Sequence, residues 1–82
     1  MFYFRLATFT KDGVISAAVF TAEAASGDEA AIATFLAIMD KIPERGAVKE
    51  ICNLHSCGDE REMKMQIELL IKVTGHTPKF EQ

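Results

Sequence analysis

Phe2-Tyr3-Phe4-Arg5-Leu6-Ala7-Thr8-Phe9-Thr10-Lys11-Asp12-Gly13-Val14-Ile15-Ser16-Ala17-Ala18-Val19-Phe20-Thr21-Ala22-Glu23 is the stretch whose reading decides the fold. Phe2 to Thr10 carries aromatic and β-branched residues with no helix breaker, and Val14 to Glu23 has a similar character, so both read as strands. Between them, Asp12-Gly13 favours the two positive φ angles of a type I′ turn, which joins antiparallel strands through two residues. The turn sets a register: Lys11 faces Val14, Thr10 faces Ile15, Leu6 faces Val19 and Phe4 faces Thr21. Opposed residues share a face. One face carries Phe2, Phe4, Leu6, Ile15, Ala17 and Val19. The other carries Tyr3, Arg5, Phe9, Val14, Ser16, Ala18 and Phe20. A sheet covered on one side alternates between apolar and polar residues. This hairpin is apolar on both sides, so its second face is expected to meet another chain through Tyr3, Arg5, Phe9 and Phe20.

Outward from the hairpin, Ser26-Gly27-Asp28-Glu29 matches a capping box. A helix is expected from there to about Ile42, because Pro43 disfavours helical geometry in the residue before it. Its apolar stripe is Ala31, Ile32, Phe35, Leu36, Ile38, Met39 and Ile42, and its small-residue back is Ala30, Ala33, Thr34 and Ala37. Pro43 to Gly46 is a turn, and Val48 to His55 reads as a third strand. Asp59 then caps a second helix with Glu62 at its third position. Gly75 ends that helix near Thr74. Glu60, Lys64, Glu68 and Lys72 form its charged solvent row. Met63, Met65, Ile67, Leu69, Leu70, Ile71 and Val73 cover more than half its circumference, which implies contact with the sheet and with one further surface.

The order strand, strand, helix, strand, helix predicts an α+β two-layer sandwich. A right-handed crossover returns the third strand parallel to the second and beside the first, giving sheet order 2-1-3 with both helices on one face. The 82 residues make one domain, with 76–82 as a C-terminal tail that is loose or adds a short strand at Phe80. A chain of this length buries only roughly 60 to 65% of the surface its unfolded form exposes. Open sheet edges and marginal size both favour a homodimer.

The composition, 49% hydrophobic and 26% charged, is that of a folded globular chain. A net charge of −3, with basic residues scattered among acids, argues against nucleic acid as a partner. The N-terminus has no signal-peptide pattern and no apolar run is long enough to span a bilayer, so the expected compartment is the cytoplasm, without membrane attachment.

Reactive side chains gather in Cys52-Asn53-Leu54-His55-Ser56-Cys57-Gly58-Asp59. A thiol at a helix start can be stabilised as thiolate, which would make Cys57 a nucleophile, His55 its base and Cys52 a resolving thiol. Asp59 and Glu60 oppose this by placing negative charge beside it. The same three residues could ligate zinc, with Asp59, His76 or a partner chain as fourth ligand, although the C-x2-H-x-C spacing matches no common closed site. The simpler assignment is a core Cys52 beside turn residues, with no catalytic residue, metal or cofactor. The expected function is a small non-enzymatic protein-interaction module that binds another protein and itself. Its size and shape suit an inhibitor encoded by a phage or mobile element, by analogy alone. The alternatives are a thiol-dependent enzyme or redox sensor using Cys57 with His55, and a dimer binding a small ligand between the sheet and the Met63/Met65 helix.

Overall fold

The computed structural model describes residues 1–81. In chain order the elements are β1 (Phe2–Lys11), β2 (Val14–Glu23), α1 (Gly27–Asp40), a single turn α2 (Ile42–Arg45), β3 (Ala47–Ile51), β4 (His55–Cys57), α3 (Glu60–Thr74) and β5 (Lys79–Glu81). The protein is of the α+β class, with a mixed sheet. The hairpin is as expected, residue for residue: Lys11 pairs with Val14, Leu6 with Val19 and Phe4 with Thr21. Asp12 and Gly13 take φ of 53° and 78°, the two left-handed values of a type I′ turn.

The sheet is ordered β3-β1-β2-β5, with β4 also on β1. The expected 2-1-3 arrangement is its centre, and β5 extends it. Lys79–Glu81 pairs parallel to Ala18–Phe20, so this part of the C-terminal tail is a strand and not loose. It is held by charge: Lys41 Nζ lies 3.1 Å from Glu81 Oε2, and Arg45 Nη1 lies 3.7 Å from Glu81 Oε1. Arg45 also donates through Nη2 to the Ala17 carbonyl at 2.9 Å and lies over the Phe9 ring at 5.6 Å. β5 is thereby tied to the corner where α1 meets α2.

The third strand is divided. β3 and β4 both pair antiparallel with β1, but Ile51 to His55 takes four steps while their partners Ala7 and Phe4 are three apart. This extra residue is a bulge, and a shift of one moves the following side chains to the other face. The bulge therefore places His55 and Cys57 on the same side of the sheet as Phe4 and Phe2. A second register shift lies between Thr8 and Phe9. Lys49 and Glu50, both exposed on this edge, together with the bulges discourage strand addition from another molecule.

The helices lie on opposite faces of the sheet, which corrects the expected two-layer sandwich with both on one face. α3 packs Met63 and Ile67 against Phe4, Leu6, Ala17, Val19 and Cys57. α1 packs Ile38 against Ala7, Phe9, Ala18 and Phe20. A hairpin apolar on both sides needs a cover on both sides, and the chain supplies each from its own helices.

α1 is also turned relative to its most hydrophobic stripe. Its buried residues are Ala30, Thr34 and Ile38, whereas Ile32, Phe35 and Leu36 face solvent. The cause is size complementarity: large Phe9 and Phe20 rise from the sheet, and small helix residues let the backbone approach them. Thr34 fits because its hydroxyl donates to the Ala30 carbonyl at 2.9 Å, which leaves its methyl group for packing. Both long helices keep their expected caps, with Ser26 Oγ accepting from Glu29 N and Asp59 Oδ1 from Glu62 N. α3 ends at Gly75 with φ of 71°.

Two outcomes test this packing. Thr34→Leu should destabilise by about 1–3 kcal/mol through overpacking, while Leu36→Ala stays within about 0.5 kcal/mol. Chemical denaturation of the two variants would read this difference, which is the reverse of the order that hydrophobicity alone gives. Gly46 has φ of 94°, and a Cβ there would run into the Thr10 carbonyl oxygen and lie 2.7 Å from Lys11 Cβ. Gly46→Ala should therefore lose at least about 2 kcal/mol, seen as a fall in Tm of more than about 8 °C.

Candidate functional site

The cysteine-rich segment places its side chains by strand alternation. His55 and Cys57 both point to the α3 face. His55 is exposed and stacks on Phe4, its cross-strand partner, with centroids 4.9 Å apart and planes 12° from parallel. Cys57 is only 2% exposed and belongs to the core under α3. Burial pushes the Cys57 thiol above its ordinary range, and the carboxylates of Glu62 and Asp59 push it the same way. Cys52 is raised by burial and then by Glu50. A thiolate nucleophile requires the opposite shift.

The start of α3 is occupied by its own capping. The Gly58 N–H donates to Glu62 Oε2 at 3.1 Å, and the Glu62 N–H donates to Asp59 Oδ1 at 2.7 Å. Asp59 is thus a cap and Glu62 an acceptor, and the N–H groups of Gly58 and Glu62 are taken by carboxylates. Both cysteines are free thiols. Among the described residues no hydrogen bond joins His55 to Cys57, and no three His, Cys, Asp or Glu side chains gather as a metal site. Cys52, His55 and Cys57 lie along one edge of the sheet and do not converge on a common point, and His76 follows the far end of α3.

The expected contact face is also reassigned. Tyr3, Phe9 and Phe20 are buried, Phe9 and Phe20 against α1, and Arg5 is half-buried. The expected open face is thus covered at Phe9 and Phe20 by α1 of the same chain. The proposed ligand pocket at Met63 and Met65 does not form between sheet and helix either. Met63 is in the core and Met65 points to solvent. Met63 lines an open depression of about 300 Å³ with Phe2, Thr21, Ala22, Glu23 and Glu60.

Among the described residues, the outer faces of α1 and α3 each expose a row of large apolar side chains. On α1, Ile32, Phe35 and Leu36 are 63%, 47% and 61% exposed, at the i, i+3, i+4 spacing that puts them side by side. On α3, Met65, Leu69 and Val73 form an exposed row at i, i+4, i+8. Beside that row lies a cleft of about 260 Å³ lined by Phe4, His55, Gln66, Leu69, Leu70 and Val73. The α3 row was legible in the sequence as a helix with more apolar circumference than a sheet can cover. The α1 stripe is legible as residues but reads from the sequence as the core-facing side, because a helical wheel ranks hydrophobicity and not side-chain size.

No family model, curated protein or solved structure matches this chain.

The thiols provide a direct check. In native protein at pH 7.5, Cys57 should resist an alkylating reagent until the chain unfolds, and Cys52 should react more slowly than a free thiol of ordinary pKa. Mass spectrometry of the labelled peptides reads both. Labelling of native Cys57 faster than a free thiol would restore the nucleophile assignment.

Proposed function

We propose that this chain is a non-enzymatic protein-binding module whose contact surface is the outer face of α1. One observation carries this reading: α1 turns its small residues inward and Ile32, Phe35 and Leu36 outward. Single exposed apolar residues are ordinary on a protein surface, but three adjacent large ones on one helix face mark a surface that another molecule covers. A helix face of this spacing suits a groove or a second helix on the partner. Binding, or inhibition by occupying a target's surface, needs no further chemistry, and the raised thiols supply none. The partner is a protein, with a second copy of this chain included in the class. Among the described residues no helix is long and apolar enough to cross a membrane, and two free thiols fit a reducing compartment such as the cytoplasm.

The test is a photo-crosslinking residue at position 36 compared with one at Asp12, in the hairpin turn. Adducts should form from position 36 in the full chain within its native extract and should be absent from position 12. Equal yields at the two positions, or none at 36, would remove α1 as the contact surface.

A further inference from the structure

We infer that the outer face of α1 receives the outer face of α3 from a second copy of this chain, head to tail. The inference rests on α1 being a protein-binding face and adds the identity of its occupant. Charge at the ends of the two helices carries it. On α1, Asp28 and Asp40 bracket the row through Ile32 and Leu36, and a rise of 1.5 Å per residue places them about 18 Å apart. On α3, Arg61 and Lys72 flank the row of Met65, Leu69 and Val73, about 16 Å apart by the same rise. Among the described residues none of these four charges enters an ion pair.

The neighbouring charges do not cancel this pattern. Lys41, next to Asp40, is held by Glu81 at 3.1 Å and Glu44 at 3.5 Å. Lys64 is held by Glu60 at 3.6 Å. Glu62 is engaged with the Gly58 N–H and with Gln66. Glu68, between Lys64 and Lys72 on the helix surface, is the other acid beside the α3 row. An α1-on-α3 contact therefore brings an acid against a base at both ends, whichever way the helices run. An α1-on-α1 contact sets Asp28 against Asp40 or against itself. An α3-on-α3 contact sets Arg61 against Lys72 or against itself. Like charges at an interface suppress the symmetric pairings.

The shapes agree with the charges. α3 is bordered by the apolar cleft of Phe4, His55, Leu69, Leu70 and Val73, a recess for the protruding Phe35 of α1, as when an amphipathic helix is laid into a groove. Because α1 and α3 lie on opposite sides of the sheet, a copy that receives an α3 leaves its own α3 free. A contact between two different patches does not close at two copies, so the assembly grows by addition.

Leu36→Glu blocks the receiving face and Leu69→Glu the docking face. Both positions are exposed, so circular dichroism and thermal unfolding of the variants should match the parent. In sedimentation velocity the parent should show a concentration-dependent series extending past the dimer, and each variant alone should stay monomeric. An equimolar mixture should form a two-chain species and stop there, since each variant retains one working face and only one productive pairing exists. Asp28→Lys with Asp40→Lys should weaken assembly of the parent. Mixing that variant with Arg61→Glu, Lys72→Glu protein should restore pairing. Dimerisation of either single variant alone, or no complex in the mixture, would overturn the inference. A monomeric parent whose position 36 crosslinks a different protein would overturn it while leaving the binding function in place. A monomeric parent with no adduct at position 36 would remove both.

Discussion

The pairing of β1 with β2 is the constraint from which the rest of the structure follows. Ten residues on each strand are matched in one register, and the two-residue turn at Asp12-Gly13 allows no slip. Register decides which side chain lies on which face. Here it leaves Phe4, Leu6 and Val19 on one side and Phe9, Ala18 and Phe20 on the other. Neither side can be left to water. The helices must therefore separate, one to each face, and every later element is placed by that requirement.

Separation has consequences at both helices. α1 meets a face studded with phenylalanine rings and fits it with alanines and a threonine, so its own bulky residues are left outside. α3 meets the face of Phe4, Leu6, Ala17 and Val19 and inserts Met63 and Ile67, yet its apolar circumference exceeds what one side of a narrow sheet can cover. Both helices end with apolar residues exposed, on opposite poles of the molecule. The apolar surfaces proposed for binding are thus by-products of how the core is packed, and they follow from one cause.

The chemistry that seemed to reside in Cys52 to Asp59 is dispersed by the same geometry. One extra residue between Ile51 and His55 turns Cys57 into the core, where burial and then two carboxylates push its thiol pKa up. His55 goes onto Phe4 at the surface. Asp59 and Glu62 then satisfy the helix start. Proximity in sequence did not become convergence in space: Cys57 is buried in the core under α3, His55 lies outside on Phe4, and the bulge separates Cys52 from both. This segment builds an edge, a core contact and a cap.

Local rules were enough for the hairpin and its register, the caps at Ser26 and Asp59, the left-handed stop at Gly75, and the placement of the third strand beside β1. Each depends on the dihedral preferences or hydrogen bonds of a few neighbouring residues, or on the handedness of one crossover. The β5 strand, the bulges in β3–β4 and the face chosen by each helix were not accessible that way. β5 is held by Lys41 and Arg45, far away in sequence. The bulges appear only in the pairing of β3 and β4 with β1, a partner more than thirty residues away in sequence. The orientation of α1 depends on the volumes of Phe9 and Phe20, which a hydrophobic periodicity does not contain. By itself the sequence determined the hairpin with its register and the starts of the two long helices. Only the tertiary structure decided which of their surfaces are hidden, because burial is settled by the fit of side-chain volumes between elements distant along the chain.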